Sequence, residues 1–202
     1  MRFPALRPRR RRDHRDTAEP DGTRRIPPLD ATAPLTIAQI GRLLRSSTAA
    51  IGGEVGAASP DLLSWHPAPG EWCVKEVLGH LIEADRRGFA GRVQLLIEHA
   101  DPELPGWDQG EVAAARHDCD RDAGELLHEF VAGRDAGLQL LARLTVRDLQ
   151  RSGRHPKVGD LTVGDIVNEW VHHDRNHLKQ LLANVQAYVW PQMGAAQGFS
   201  GD

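Results

Sequence analysis

"NEWVHHDRNHLKQLL", residues 168–182, places three histidines within six positions of a helical stretch. The apolar residues around it are Val163, Ile166, Val167, Trp170, Leu178, Leu181, Leu182 and Val185, which recur at helical spacing. Steps of three and four along that stripe land on 163, 166, 170, 173, 177 and 181. His173 and His177 therefore occupy positions where leucine would ordinarily sit. His172 falls with Glu169, Asn176 and Lys179 on a polar face and is read as a bystander.

Three further amphipathic segments precede this one. The first begins at "LTIAQIGRLL" behind a Thr36 cap, with Ile37, Ile40, Leu44, Ala50 and Ile51 on one side. The second, "VKEVLGHLIEADRRGFAGRVQLLIEHA", buries Val77, Leu81, Phe89, Val93 and Leu96. The third, "RDAGELLHEFVAGRDAGLQLLARL", offers Leu126, Leu127, Phe130, Val131, Leu138, Leu141 and Leu144. Thr162, with Asp165 three residues on, caps the fourth. Four such helices and no strand pattern predict an all-α four-helix bundle. Two links stand out: a loop of about 20 residues, "DPELPGWDQGEVAAARHDCD", and the polar "TVRDLQRSGRHPKVGDL".

Around the bundle, residues 1–34 are rich in Arg and Pro, lack apolar periodicity and are expected to be disordered. Residues 191–202 are read as a frayed end, leaving 35–190 as the bundle. The first 25 residues carry nine arginines against four acidic residues, so with a net charge of −3 overall the rest of the chain is acidic at −8. Such a body has no general attraction for nucleic acid. No apolar run is long enough to cross a bilayer. Two cysteines, Cys73 and Cys119, without CxxC spacing argue against a disulfide scaffold or a thiolate zinc site. These features predict a cytoplasmic protein with no membrane partner.

Two histidines at i and i+4 can share a metal ion through neutral imidazole nitrogens. His80 on the second helix, at the edge of an inward face, is a third donor. Bundles build metal sites from facing helices, and three histidines leave a fourth position open, as in catalytic rather than structural sites. Glu83 and Asp108 are candidate proton acceptors, set against a solvated helix face and a turn-making Asp. Arg86, Arg87 and Arg92 are candidates for holding an anionic thiol.

The segments "WHPAPGEWCVKEVLGHLIEADR", "PGWDQ" and "LTVGDIVNEWVHHDRNHLKQLL" resemble the DinB-like superfamily of bacterial four-helix proteins, which includes the YfiT group. The resemblance covers about residues 35–190. It implies an up-up-down-down bundle, homodimers, and a divalent metal (zinc, nickel, iron or manganese) on His80, His173 and His177. It also implies either a metal-dependent hydrolase or a transferase or isomerase using a low-molecular-weight thiol, acting on an unknown small-molecule substrate. The competing reading is a non-catalytic, stress-related bundle serving as a metal-binding or protein-interaction module. Packing the histidines as plain core is disfavoured, because each unsatisfied buried polar group costs about 1–3 kcal/mol.

Overall fold

A computed structural model describes residues 33–200; the N-terminal tail expected to be disordered lies outside the described residues up to position 32. Helix α1 (Ile37–Ala57) starts at a reciprocal capping box, in which Thr36 accepts from the Gln39 amide and the Gln39 side chain caps the Thr36 amide. A short α2 (Pro60–Ser64) leads to α3 (Val74–Glu83). The second long helix is continuous but not uniform: Ala84–Phe89 form a π-helical turn before α4 (Ala90–Glu98). Its widened backbone brings the Arg86 carbonyl to where a side chain at 91 would begin (2.3 Å from an ideal Cβ), so Gly91 is required there. Next come α5 (Gln109–Arg116) and α6 (Ala123–Arg143). Last is α7 (Val163–Val189), capped by Thr162 and Asp165 in a second capping box. Residues Trp190–Phe199 continue as 3₁₀ turns kinked at Gly194.

Two links depart from the expected loops. The crossover after α4 contains α5. The polar link before α7 contains a β-hairpin, β1 (Ser152–His155) and β2 (Gly159–Thr162), paired antiparallel with Ser152 opposite Thr162 and turning at Gly159, φ +81°. No apolar alternation announces these strands, because their backbone partners do the work: Leu104 donates to the Arg154 carbonyl and Arg154 donates to Pro102. The hairpin thereby stitches the start of the crossover to the base of α7.

Four long helices, α1, α3–α4, α6 and α7, make the bundle. Leu138 and Leu127 of α6 lie beside Gly41 and Gly52 of α1, so these two run antiparallel. Asn184 bonds the Trp72 carbonyl while His173 meets His80, so α7 runs against α3. Ile40 and Leu44 share a cluster with Val163 and Ile166, and Ile51 shares another with Leu181, so α1 and α7 are parallel. Along the chain the directions are up, down, down, up. Read around the bundle, with α1 beside α7 and α3 beside α6, they are up, up, down, down.

The apolar core is in two parts. One holds Ile40, Leu44, Phe89, Val93, Leu96, Val163, Ile166 and Trp170. The other holds Ile51, Leu78, Leu81, Leu126, Phe130 and Leu181. Fully burying each such side chain stabilises the fold by about 1.5–3 kcal/mol. Between the two parts every long helix interrupts its stripe with a buried polar residue: Ser47, His80 and Asp85, Arg134, and Asp174. Val131 and Leu182, read above as inward, are 36% and 38% exposed, because the stripe passes one position to their side through Phe130 and Leu181. Among the described residues no helix is long and apolar enough to cross a membrane.

Candidate metal centre

His80 sits in the last turn of α3, and His173 and His177 lie one turn apart on α7, where the antiparallel packing of the two helices faces them together. One ring nitrogen from each lies within 4.8 Å of the others. The Nε2 atoms of His80 and His173 are 3.0 Å apart. Trp72 and Trp107 flank the His80 ring at centroid distances of 5.1 and 5.9 Å, and Phe89 packs edge-on to His173 at 5.0 Å. His172 points away, exposed and bonded to Asn176.

Burial keeps this cluster uncharged. Desolvation, with His177 adding repulsion, lowers His80 to about 4. Desolvation, then His177 and His80, lowers His173 to about 3. His177 is also lowered by burial, held back by its Gln180 hydrogen bond and the charge of Asp174. Three neutral imidazoles are the protonation state a metal requires. His177 Nδ1 donates to Gln180 Oε1, which fixes its tautomer and leaves the Nε2 lone pair free. The Nδ1 atoms of His80 and His173 are buried without a partner, and their facing Nε2 atoms need a proton or a cation between them. A divalent ion matches this donor set.

One turn away lies a polar cluster of opposite character. Arg134 is 0% exposed and donates to both oxygens of Asp85 (2.9 and 3.1 Å) and both of Asp174 (2.5 and 2.9 Å). Trp170 Nε1 also donates to Asp85 at 2.7 Å. The Trp170 ring fits because position 137 is glycine; a Cβ there would stand 2.5 Å from Cη2. Burial raises Asp85 to about 6 despite Arg134, since two carboxylates share one guanidinium. Asp174 follows His173 in the chain, so the ion cluster grips the same turn of α7 that carries the histidines.

His80 and His173 open onto a cleft of about 930 Å³. Its walls include Trp72, Trp107, Arg92, His155, Lys157 and Glu169. Arg92 donates to the Pro105 carbonyl and to His155 Nε2 (3.1 and 3.0 Å), tying α4 to the hairpin across the cleft. Of the candidate arginines only Arg92 reaches it; Arg86 is exposed elsewhere and Arg87 pairs with Glu83 at 2.5 Å. Glu83 is neither solvated nor beside the histidines. Burial would raise its carboxyl, but hydrogen bonds from Arg87 and Arg116 outweigh that and hold it below its usual value. Asp108 lines the cleft, yet both its hydrogen bonds cap α5, at the Gly110 and Glu111 amides.

Sequence reasoning missed Arg134, Asp85 and Asp174, and placed Glu169 and His155 outside any site. The signal available was the break in each stripe: Arg134 and Asp174 stand between Phe130 and Leu141 and between Trp170 and Leu181, at core spacing.

Comparison with known proteins now fits this geometry. Residues 43–181 match the model of the DinB superfamily. The chain belongs to the DinB superfamily. A protein of Oceanobacillus iheyensis named "Putative metal-dependent hydrolase OB0782" is 24% identical over 121 residues, covering 60% of this chain and 69% of that one. "Uncharacterized protein YuaE" of Bacillus subtilis is 26% identical over 142 residues, 63% of this chain and 86% of that one. In structure this DinB-superfamily chain is similar to YfiT from Bacillus subtilis, described as a probable metal-dependent hydrolase with an unusual four-helix bundle topology. The TM-score is 0.71 at 18% identity, covering 81% of this chain and 93% of YfiT. A mutant of the mycothiol-dependent maleylpyruvate isomerase superposes with a TM-score of 0.61 at 8% identity, over 73% of this chain and 61% of the isomerase. At these identities the two solved structures establish the shared fold.

Proposed function

We propose that His80, His173 and His177 hold one divalent metal ion and that the chain is a metal-dependent hydrolase of a small anionic substrate. The observation that carries this is the convergence of three imidazoles, His80 buried and His173 and His177 half-buried, with His80 and His173 lining an open cleft. The name of the Oceanobacillus relative supports the same reading. An ion held by three imidazoles supplies Lewis acidity at an open position, toward water or a thiol. Of this chain's residues, Trp72 and Trp107 shield the His80 side of the cleft, while Arg92 and Lys157 attract and orient an anion. Glu169, which lines the cleft one turn before His173, is our candidate to take a proton. Asp108 uses Oδ1 for its cap, and Glu83 is committed to its arginines.

A second reading, transfer to or from a low-molecular-weight thiol, is favoured by the same cationic wall, which suits a carboxylate-bearing thiol, and by the bundle shared with the mycothiol-dependent isomerase. The test is elemental analysis of untagged protein beside His80→Ala and His173→Ala, followed by paired assays with water or an added thiol as acceptor. Loss of about one metal equivalent between the parent and each folded variant is expected, with turnover abolished in both. A metal content unchanged from the parent in both variants would remove the three-histidine centre. Metal binding without turnover in either assay would leave the non-catalytic module.

A further inference from the structure

A second set of donors gathers at the opposite end of α3, where the reading of the cysteines by spacing alone saw none. Cys73 is the N-cap residue of α3, Glu76 lies in its first turn, His66 follows α2, and Cys119 belongs to the 3₁₀ turn after α5. One donor atom from each of the four lies within 4.8 Å of the others. The Cys73 and Cys119 sulfurs are 3.1 Å apart, and His66 Nε2 is 2.9 Å from Glu76 Oε2. Each of these contacts joins two metal-ligating atoms through a proton. The other end of the cluster is tied down as well: Glu76 Oε2 accepts from the Cys73 amide, and Cys119 donates to the Ser64 carbonyl.

We propose that His66, Cys73, Glu76 and Cys119 form a tetrahedral zinc site, separate from the histidine centre and structural in role. Two thiolates, an imidazole and a carboxylate are a zinc donor set, and the thiolates select against magnesium, calcium and manganese. On loading, the two thiol protons leave to solvent, the imidazole proton moves from Nε2 to Nδ1, and the ion takes their place among the four atoms. Four protein donors close the coordination sphere, unlike the three histidines with their open position. The site would join three segments that no long helix connects: the α1–α3 link, the start of α3 and the end of the crossover. That crossover carries Trp107 over the cleft, and Trp72, next to Cys73, packs against His80, so both aromatic walls descend from this anchor.

The test is a cobalt titration of the reduced full-length chain, read by thiolate-to-cobalt charge-transfer absorption in the near ultraviolet, which imidazole ligands do not produce. A band that saturates at two equivalents or fewer in the parent and at one in His173→Ala, and that zinc abolishes, is expected. It should be lost in Cys119→Ser and, because His66 is exposed and its loss spares the fold, cobalt should bind at least about tenfold more weakly to His66→Ala. No band in the reduced parent overturns the proposal. So does a band that survives in Cys119→Ser, or a Cys73–Cys119 disulfide that forms in air despite excess zinc, which would make the pair a redox crosslink instead.

Discussion

Two buried polar clusters sit one turn apart in the same bundle and solve opposite problems. Arg134, Asp85, Asp174 and Trp170 satisfy one another: every guanidinium nitrogen of Arg134 has a carboxylate oxygen as partner. His80, His173 and His177 do not, since two Nδ1 atoms are unpartnered and the ring nitrogens crowd each other. A closed network of charges orders a core, whereas neutral donors facing each other are suited to holding a cation. The difference marks the first cluster as framework and the second as the candidate site.

The largest effect expected from breaking this contrast is in the framework. Arg134→Met strands two carboxylates in the core and should cost about 3–5 kcal/mol, read from urea unfolding of the metal-free protein. A cost under about 1 kcal/mol would mean that the carboxylates simply take up protons. Next comes pH. His80 and His173 have folded pKa values of about 4 and about 3, below the unfolded value near 6.5, so between those limits the unfolded chain binds more protons. Stability of the metal-free fold is therefore full above about pH 6.5 and falls as pH drops toward 4. Asp85, raised to about 6, works in the other direction, its contribution falling as pH rises from about 4 to 6. A His80→Ala, His173→Ala double variant should flatten the acid-side slope; an unchanged slope would show that the imidazoles are already charged in the fold.

Metal itself gives a third measure. At about 100 times its Kd, an ion on the three histidines should stabilise the parent by about 2.7 kcal/mol more than the same metal stabilises His173→Ala, read as a shift in thermal midpoint. Smaller still is Asp108→Ala, which removes the α5 cap at a cost of about 1 kcal/mol while sparing metal content. If Asp108 were instead the proton acceptor, turnover would collapse with the cap. His172→Ala should change stability by less than about 0.5 kcal/mol and leave metal binding intact, which separates it from its neighbour at 173.

The helical period by itself determined the bundle, because burying one stripe per helix leaves few other architectures for four such segments. It also determined which histidines face inward: positions 173 and 177 share the face of Trp170 and Leu181, whereas 172 is turned about 100° away. It could not show the π-turn at Ala84–Phe89, which leaves the apolar pattern readable while shifting its phase, nor the hairpin, whose strands are held by backbone partners and carry no apolar alternation. Only the tertiary structure decided that Arg134 pairs with Asp85 and Asp174, that Glu83 belongs to Arg87 and Arg116, and that Cys73 meets Cys119 across 46 residues of chain. Periodicity is a property of one helix, fixed by local backbone geometry. A partner on another helix depends on how crossovers bring distant segments to the same level, and no local pattern encodes that distance.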